Sequence, residues 1–158
     1  MPRGRARGIP RRALGLGTAG PSPRVRRVNG LPPDLVDLLR AAPAAYFATV
    51  MPDGSPQLTQ VWVDTDGRHV VVNTVQGHQK ARNIARDPRV ALNIADPARP
   101  SKYWFVRGVV TEVTTEGAAA HIDELAVRYT GAPYQWYGGR DQVRLKVSIR
   151  VDSVHAMG

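Results

Sequence analysis

Cysteine is absent from the 158 residues, which excludes a disulfide framework, a thiolate nucleophile and any cysteine-ligated metal site. A reducing, cytoplasmic setting is the expectation that fits. No run of 18 or more apolar residues occurs, and residues 1–27 lack the continuous apolar core of a secretory signal, so no membrane span is predicted. Histidines are few: His69, His78, His121 and His155 form no i,i+4 pair and have no carboxylate at ligand spacing, so no metal is expected. Ser55, Ser101 and Ser148 lack the context of a nucleophile elbow, which argues against a hydrolase. Acidic residues are missing before Asp34, whereas Arg3, Arg5, Arg7, Arg11, Arg12, Arg24, Arg26 and Arg27 fall before residue 28. The formal charge of +9 is therefore concentrated in the N-terminal segment. Residues 28–158 hold fourteen cations against thirteen carboxylates, a net of +1. The basic field of a nucleic-acid-binding domain is absent there.

What is present suffices for one domain, since 42% hydrophobic content over 158 residues can build one core but not two of ordinary size. Residues 1–30, rich in Arg, Gly and Pro without apolar periodicity, are expected to form a disordered basic extension. A mis-assigned translation start, a basic arm for nucleic acid or anionic lipid, and a transit segment all fit it. Residues 31–158 form the predicted domain. Pro32-Pro33-Asp34 starts a short helix carrying Leu35, Leu38 and Leu39 on one stripe. Strands are predicted over 44–51 and 57–64 around the turn Pro52-Asp53-Gly54-Ser55, and over 69–74 after Asp66-Gly67. Further strands cover 90–95 and 103–115, the latter with both faces covered, and a helix spans 116–129 with Ile122, Leu125, Ala126 and Tyr129 on one stripe. The closing strand alternates Val143, Leu145, Val147, Ile149 and Val151 with Arg144, Lys146, Ser148, Arg150 and Asp152, one face buried and the other wet. Six short strands with tight turns and few helices predict a mainly β protein, an antiparallel barrel closed against edge exposure.

The stretch from Asn73 to Asn83 carries the chemistry. A β-branched strand turns there into a short helix whose first-turn N–H groups and dipole favour an anion. Lys80 and Asn83 lie three residues apart on one face, and Arg82 flanks them. The same pattern also fits an amphipathic helix with Ala81, Ile84 and Ala85 packed inward and its cations in water. Asp123-Glu124 are adjacent on a helix and face different ways, so they make a poor acid/base pair. Gly138-Gly139 belong to a loop, not to a strand-to-helix phosphate turn. Tyr134, Trp136 and Tyr137 crowd that loop and fit either a cover over a pocket or packing beneath a long loop. With no evident acid, base or nucleophile, redox chemistry on a bound cofactor is consistent with the residues present, and no strictly catalytic residue is expected.

Taken together, Ala48-Thr49-Val50 with Asp53-Gly54-Ser55-Pro56-Gln57, then Lys80-Ala81-Arg82-Asn83 with Asp87-Pro88-Arg89-Val90, and the closing strand to Val154 carry a resemblance. From Leu31 to Met157 the chain resembles the split β-barrel flavin and deazaflavin oxidoreductases, the pyridoxamine 5′-phosphate oxidase-like superfamily, and within it the small branch that uses coenzyme F420. The resemblance implies a six-stranded, FMN-binding-like split barrel acting as a homodimer, and hydride transfer between F420 and a small electron-poor organic substrate. It implies that Gln57, Leu58, Thr59, Gln60 and Val61 lie along the tricyclic ring. It places Asn73, Thr74, His78, Gln79, Lys80, Arg82 and Asn83 at the phosphate; His78 departs from the pattern, close relatives often carrying arginine there. Lys102, Tyr103 and Trp104 are implied to reach the partner chain's cofactor, although aromatics on a long strand equally fit core or interface. FMN is the alternative cofactor. A non-catalytic flavin-, deazaflavin- or haem-binding protein is the alternative role.

Overall fold

The computed structural model describes residues 26–27 and 30–158. Most of the expected disordered extension over 1–30 lies outside the described residues; within it, Arg26–Arg27 form a two-residue strand, β1, paired with Ser153 and Val154. The elements that follow are α1 (Pro33–Arg40), β2 (Ala44–Val50), β3 (Pro56–Val61), β4 (Val63–Thr65), β5 (Val70–Val75), α2 (Gln79–Arg86), β6 (Arg89–Asp96), β7 (Arg99–Thr114), α3 (Ala118–Thr130) and β8 (Arg144–Met157). Among the described residues no helix is long and apolar enough to cross a membrane.

All pairings are antiparallel, in the order β3-β2-β6-β7-β8-β5-β4. The two ends of this order, β3 and β4, are one stretch of chain interrupted only by Trp62. Its first half bonds to β2 and its second half to β5, so the sheet curls until its ends share a segment. The single strand predicted over 57–64 is therefore two. The path has seven strands where six were predicted, and β1 makes an eighth, because one segment serves two neighbours and its pairing breaks at Trp62. Gly108 marks a second irregularity, where the β7–β8 register shifts: a Cβ there would lie 2.2 Å from the Arg150 carbonyl oxygen.

Cross-strand rows sort residues into two faces. Val61, Ala45, Ile94 and Trp104 form one row and are all buried. The adjacent row, Gln60, Tyr46, Asn93, Phe105 and His155, lies on the opposite face, with Tyr46 42% and Phe105 41% exposed. Phe47, Val63, Val72, Leu92, Val106, Val147 and Ile149 complete the interior, into which α1 inserts Leu35 and Leu39 and α2 inserts Ile84. Each such fully buried leucine contributes about 1.5–3 kcal/mol. The helix α3 instead covers the outer face of β5 and β8 with Ala118, Ile122, Leu125 and Ala126. Two expectations are corrected. Ala85 lies at the surface, since α2 buries Asn83 beside Ile84, and β7 is exposed at Thr111, Glu112 and Val113, beyond the cover of any helix.

Candidate functional site

The register of β5 against β8 sets Val75 opposite Arg144 and Asn73 opposite Lys146. Opposed residues share a face, here the outer one beneath α3 and the loop 131–143. After Val75 the chain turns through Gly77 at φ 86°, the left-handed region that suits glycine, and His78 opens α2. That turn brings His78 and Lys80 alongside Arg144. Together with Gln60, Val61, Trp62, Asn73, Thr74, Val75, Ile122, Tyr134 and Tyr137 they enclose a cavity of about 320 Å³.

The electrostatics of this cavity are one-sided. Burial, then the charge of Arg144, lowers the Lys80 pKa below its ordinary value. Burial followed by Lys80, Arg144 and Arg82 lowers that of His78, and burial lowers that of Arg144, opposed by Tyr134. Among the described residues no carboxylate forms an ion pair with Lys80 or Arg144. Arg144 is 8% exposed, its guanidinium 5.0 Å from the Tyr134 ring centroid, and its Nε donates to Asn73 Oδ1 at 2.8 Å. Desolvated basic groups without a counter-charge mark a place where an anion completes the balance. Two further features fit one. Thr74 is among the lining residues and its buried Oγ1 has no hydrogen-bond partner, and the first turn of α2 has no side-chain cap, leaving its N–H groups available. A phosphate-bearing cofactor fits this donor set.

Of the residues expected at the ring and phosphate, Gln60, Val61, Asn73, Thr74, His78 and Lys80 line the cavity. Others do different work. Asn83 is fully buried and its Nδ2 donates to Thr49 Oγ1 at 2.9 Å and Gln57 Oε1 at 3.3 Å, while Gln79 Nε2 donates to Asn83 Oδ1 at 2.8 Å. Asn83, Gln57 and Gln79 thus form a polar knot that ties α2 to the β2–β3 hairpin. Arg82 folds back, donating to the Gly77 carbonyl and to Gln79 Oε1 at 2.6 Å. Leu58 is 64% exposed on the face shared with Gln60 and Tyr46, and Thr59 lies on the opposite, half-buried face. Trp104 packs into the core, with Lys102 and Tyr103 half-buried beside it at the end of the sheet away from the cavity lining.

Alternation with Val143 and Leu145 puts Arg144 among the wet residues of the closing strand, yet it is buried, because that alternation carries no trace of what covers the outer face. Ser148, on the same face, is buried too. Trp62 stacks on Tyr129 at 5.3 Å between centroids, and Tyr134 meets Trp62, Trp136 and Tyr137 edge-on. Tyr134 and Tyr137 of the aromatic loop line the cavity, while Tyr134 also packs against Trp62.

A family model described as pyridoxamine 5′-phosphate oxidase matches residues 31–154. Among solved structures, an F420 reductase is 30% identical with a TM-score of 0.70, over 79% of this chain and 98% of that one. A conserved hypothetical protein from Mycobacterium tuberculosis is 28% identical with a TM-score of 0.61, over 84% of this chain and 88% of that one. The HupZ protein of Group A Streptococcus is 20% identical with a TM-score of 0.57, over 80% and 93%, a likeness of fold alone. No curated protein matches the chain.

Proposed function

This chain belongs to the pyridoxamine 5′-phosphate oxidase family, and from that premise we propose that it is an F420-dependent oxidoreductase acting on a small electron-poor organic substrate. The observation that carries the reading is the cavity lined by Lys80, Arg144 and His78, three basic groups that no lining carboxylate balances. Similarity to an F420 reductase over most of both chains supports the choice of deazaflavin over FMN. Lys80, Arg144, Thr74 and the first turn of α2 would hold the phosphate, with Gln60 and Val61 alongside the rest of the cofactor. The bound deazaflavin supplies or accepts the hydride. The chain's own part is to neutralise the phosphate, to orient the cofactor and, through Trp62, Tyr134 and Tyr137, to keep water from the cavity.

We also propose that the functional unit is a homodimer. Gln60 at the cavity rim belongs to the same outer row as the exposed Tyr46 and Phe105, and Leu58 and Met157 extend that face. A second copy seated on this apolar face would cover it and abut the site. Sedimentation of the purified chain as a dimer is expected, and a monomer at micromolar concentration would refute it.

Separate titrations with F420 and FMN test the cofactor. Saturable F420 binding, with reduced F420 oxidised by members of an enone and quinone panel, is expected. Tight FMN binding without F420 binding overturns the assignment, and F420 binding without oxidation by any electrophile reduces the protein to a carrier.

A further inference from the structure

Behind Arg144 runs a chain of polar side chains buried between α3 and the outer face of β4, β5 and β8. Arg144 Nε donates to Asn73 Oδ1 at 2.8 Å; Asn73 Nδ2 donates to the Ala118 carbonyl at 2.8 Å and faces His121 Nδ1 at 3.2 Å. His121 Nε2 lies 3.5 Å from Asp64 Oδ2 without making a hydrogen bond, and at the surface Asp64 Oδ1 accepts from Arg128 at 2.6 Å. Asn73, His121 and Arg144 are 9%, 8% and 8% exposed. Only Asn73 and Arg144 of this chain line the cavity; His121 and Asp64 lie behind them.

An amide has two ends of nearly the same shape, an oxygen that accepts and an amino group that donates. If Asn73 were turned over, its amino group would face the Arg144 Nε–H and two donors would meet. The orientation that presents Oδ1 to Arg144 is held because both amino hydrogens are spoken for, one by the Ala118 carbonyl and one by His121 Nδ1. His121 can accept at Nδ1 only as the tautomer protonated at Nε2, and the Asp64 carboxylate opposite Nε2 is what favours that tautomer. Arg128 in turn fixes Asp64; its position seven residues after His121 sets both on one stripe of α3.

We propose that His121 and Asp64 are positioning residues which act through Asn73 to hold the Arg144 guanidinium in the orientation that binds the cofactor's phosphate. This rests on the cofactor reading above. It separates the polar groups under α3 from mere helix anchoring, because their effect is transmitted through one hydrogen bond to one cavity cation.

The test is a double-mutant cycle on the full-length chain, with affinity measured for whichever of F420 and FMN the wild type binds. His121→Leu is expected to weaken binding about tenfold, the scale of one misdirected charge-assisted hydrogen bond. In an Arg144→Ala background the same change is expected to shift affinity by no more than about twofold, since its route is gone. His121→Asn, which keeps an acceptor near the Nδ1 position, should recover most of the loss. Far-UV circular dichroism checks that each variant is folded; if His121→Leu is not, Asp64→Asn takes its place in the cycle. Equal losses from His121→Leu with and without Arg144 overturn the proposal, as they would mark a structural role. Wild-type protein that binds neither cofactor overturns the cofactor reading and this proposal with it, whereas an Arg144→Ala loss unaccompanied by any His121 effect overturns this proposal alone.

Discussion

Arg128, at the surface, and Arg144, buried, stand at the two ends of one polar chain and use the same guanidinium in opposite ways. Arg128 meets Asp64 at 2.6 Å, and that hydrogen bond raises its pKa while the pair, together with His121, holds the Asp64 carboxyl well below the ordinary carboxylate range against the effect of burial. Arg144 has no carboxylate, and burial lowers its pKa. The first arrangement is self-contained: opposite charges cancel, and the pair fastens α3 to β4. The second is incomplete: burial lowers the pKa of both Lys80 and Arg144, and the charge of Arg144 lowers that of Lys80 further. Cations that lack a protein partner where burial is costly are accounted for by a ligand that brings the missing charge.

The widest test of this contrast removes the unpaired cations together. Lys80→Ala combined with Arg144→Ala is expected to weaken cofactor binding by roughly a hundredfold or more, each charged contact being worth about 1.5–3 kcal/mol. The melting temperature should change little, since relief of two desolvated like charges offsets the lost hydrogen bond from Arg144 to Asn73. Unchanged affinity in a calorimetric titration would remove both residues from the binding site.

Next in size is the polar knot on the far side of α2. Asn83→Leu strips Thr49, Gln57 and Gln79 of their shared partner in a fully buried position. A loss of about 2–3 kcal/mol in urea denaturation is expected. A variant that kept full stability but lost cofactor affinity would move Asn83 into the binding site.

A pH effect at His78 is smaller. The unfolded chain takes up a proton near the ordinary value of 6.5, while the folded, ligand-free protein does so only at lower pH because burial and then Lys80, Arg144 and Arg82 disfavour the charge. Between the two values the unfolded state holds more protons, so stability should fall as pH drops below 6.5. His78→Gln should remove that component, and saturating phosphate-bearing cofactor should reduce it by balancing the cations. Melting curves at pH 5 to 7 that are identical for wild type and His78→Gln would contradict the assignment.

The smallest effect belongs to Arg89, which bonds to Asp87 at 2.6 Å at the exposed surface and raises no question of an absent partner. Arg89→Ala should leave both the melting temperature and cofactor affinity unchanged within error.

Much of the frame was legible in the chain. Period-two alternation in 143–151 and the turn residues of 52–55 and 66–67 located the strands, and the Asn73-to-Asn83 transition pointed at the corner where His78 and Lys80 now line the cavity. Alternation failed where a strand has two covered faces. Arg144 and Ser148 read as wet because α3, arriving from residues 118–130, is remote in sequence. Helical spacing likewise grouped Lys80 with Asn83, yet the two diverge: Lys80 lines the cavity, while the Asn83 amide bonds across to the β2–β3 hairpin. The split at Trp62 was invisible for a related reason, since an unbroken run of strand-forming residues says nothing of a change in partner halfway along it.

What the sequence by itself determined is therefore local: which segments are strands, which turns need glycine, and that one strand-to-helix junction is rich in donors, because propensity, alternation and helix-terminus chemistry act within a few residues. Tertiary structure decided which cations are paired and which are not. Whether Arg144 meets a carboxylate or a cavity depends on the β5–β8 register, which joins residues 71 positions apart, and on the helix laid across it, contacts that no local pattern encodes.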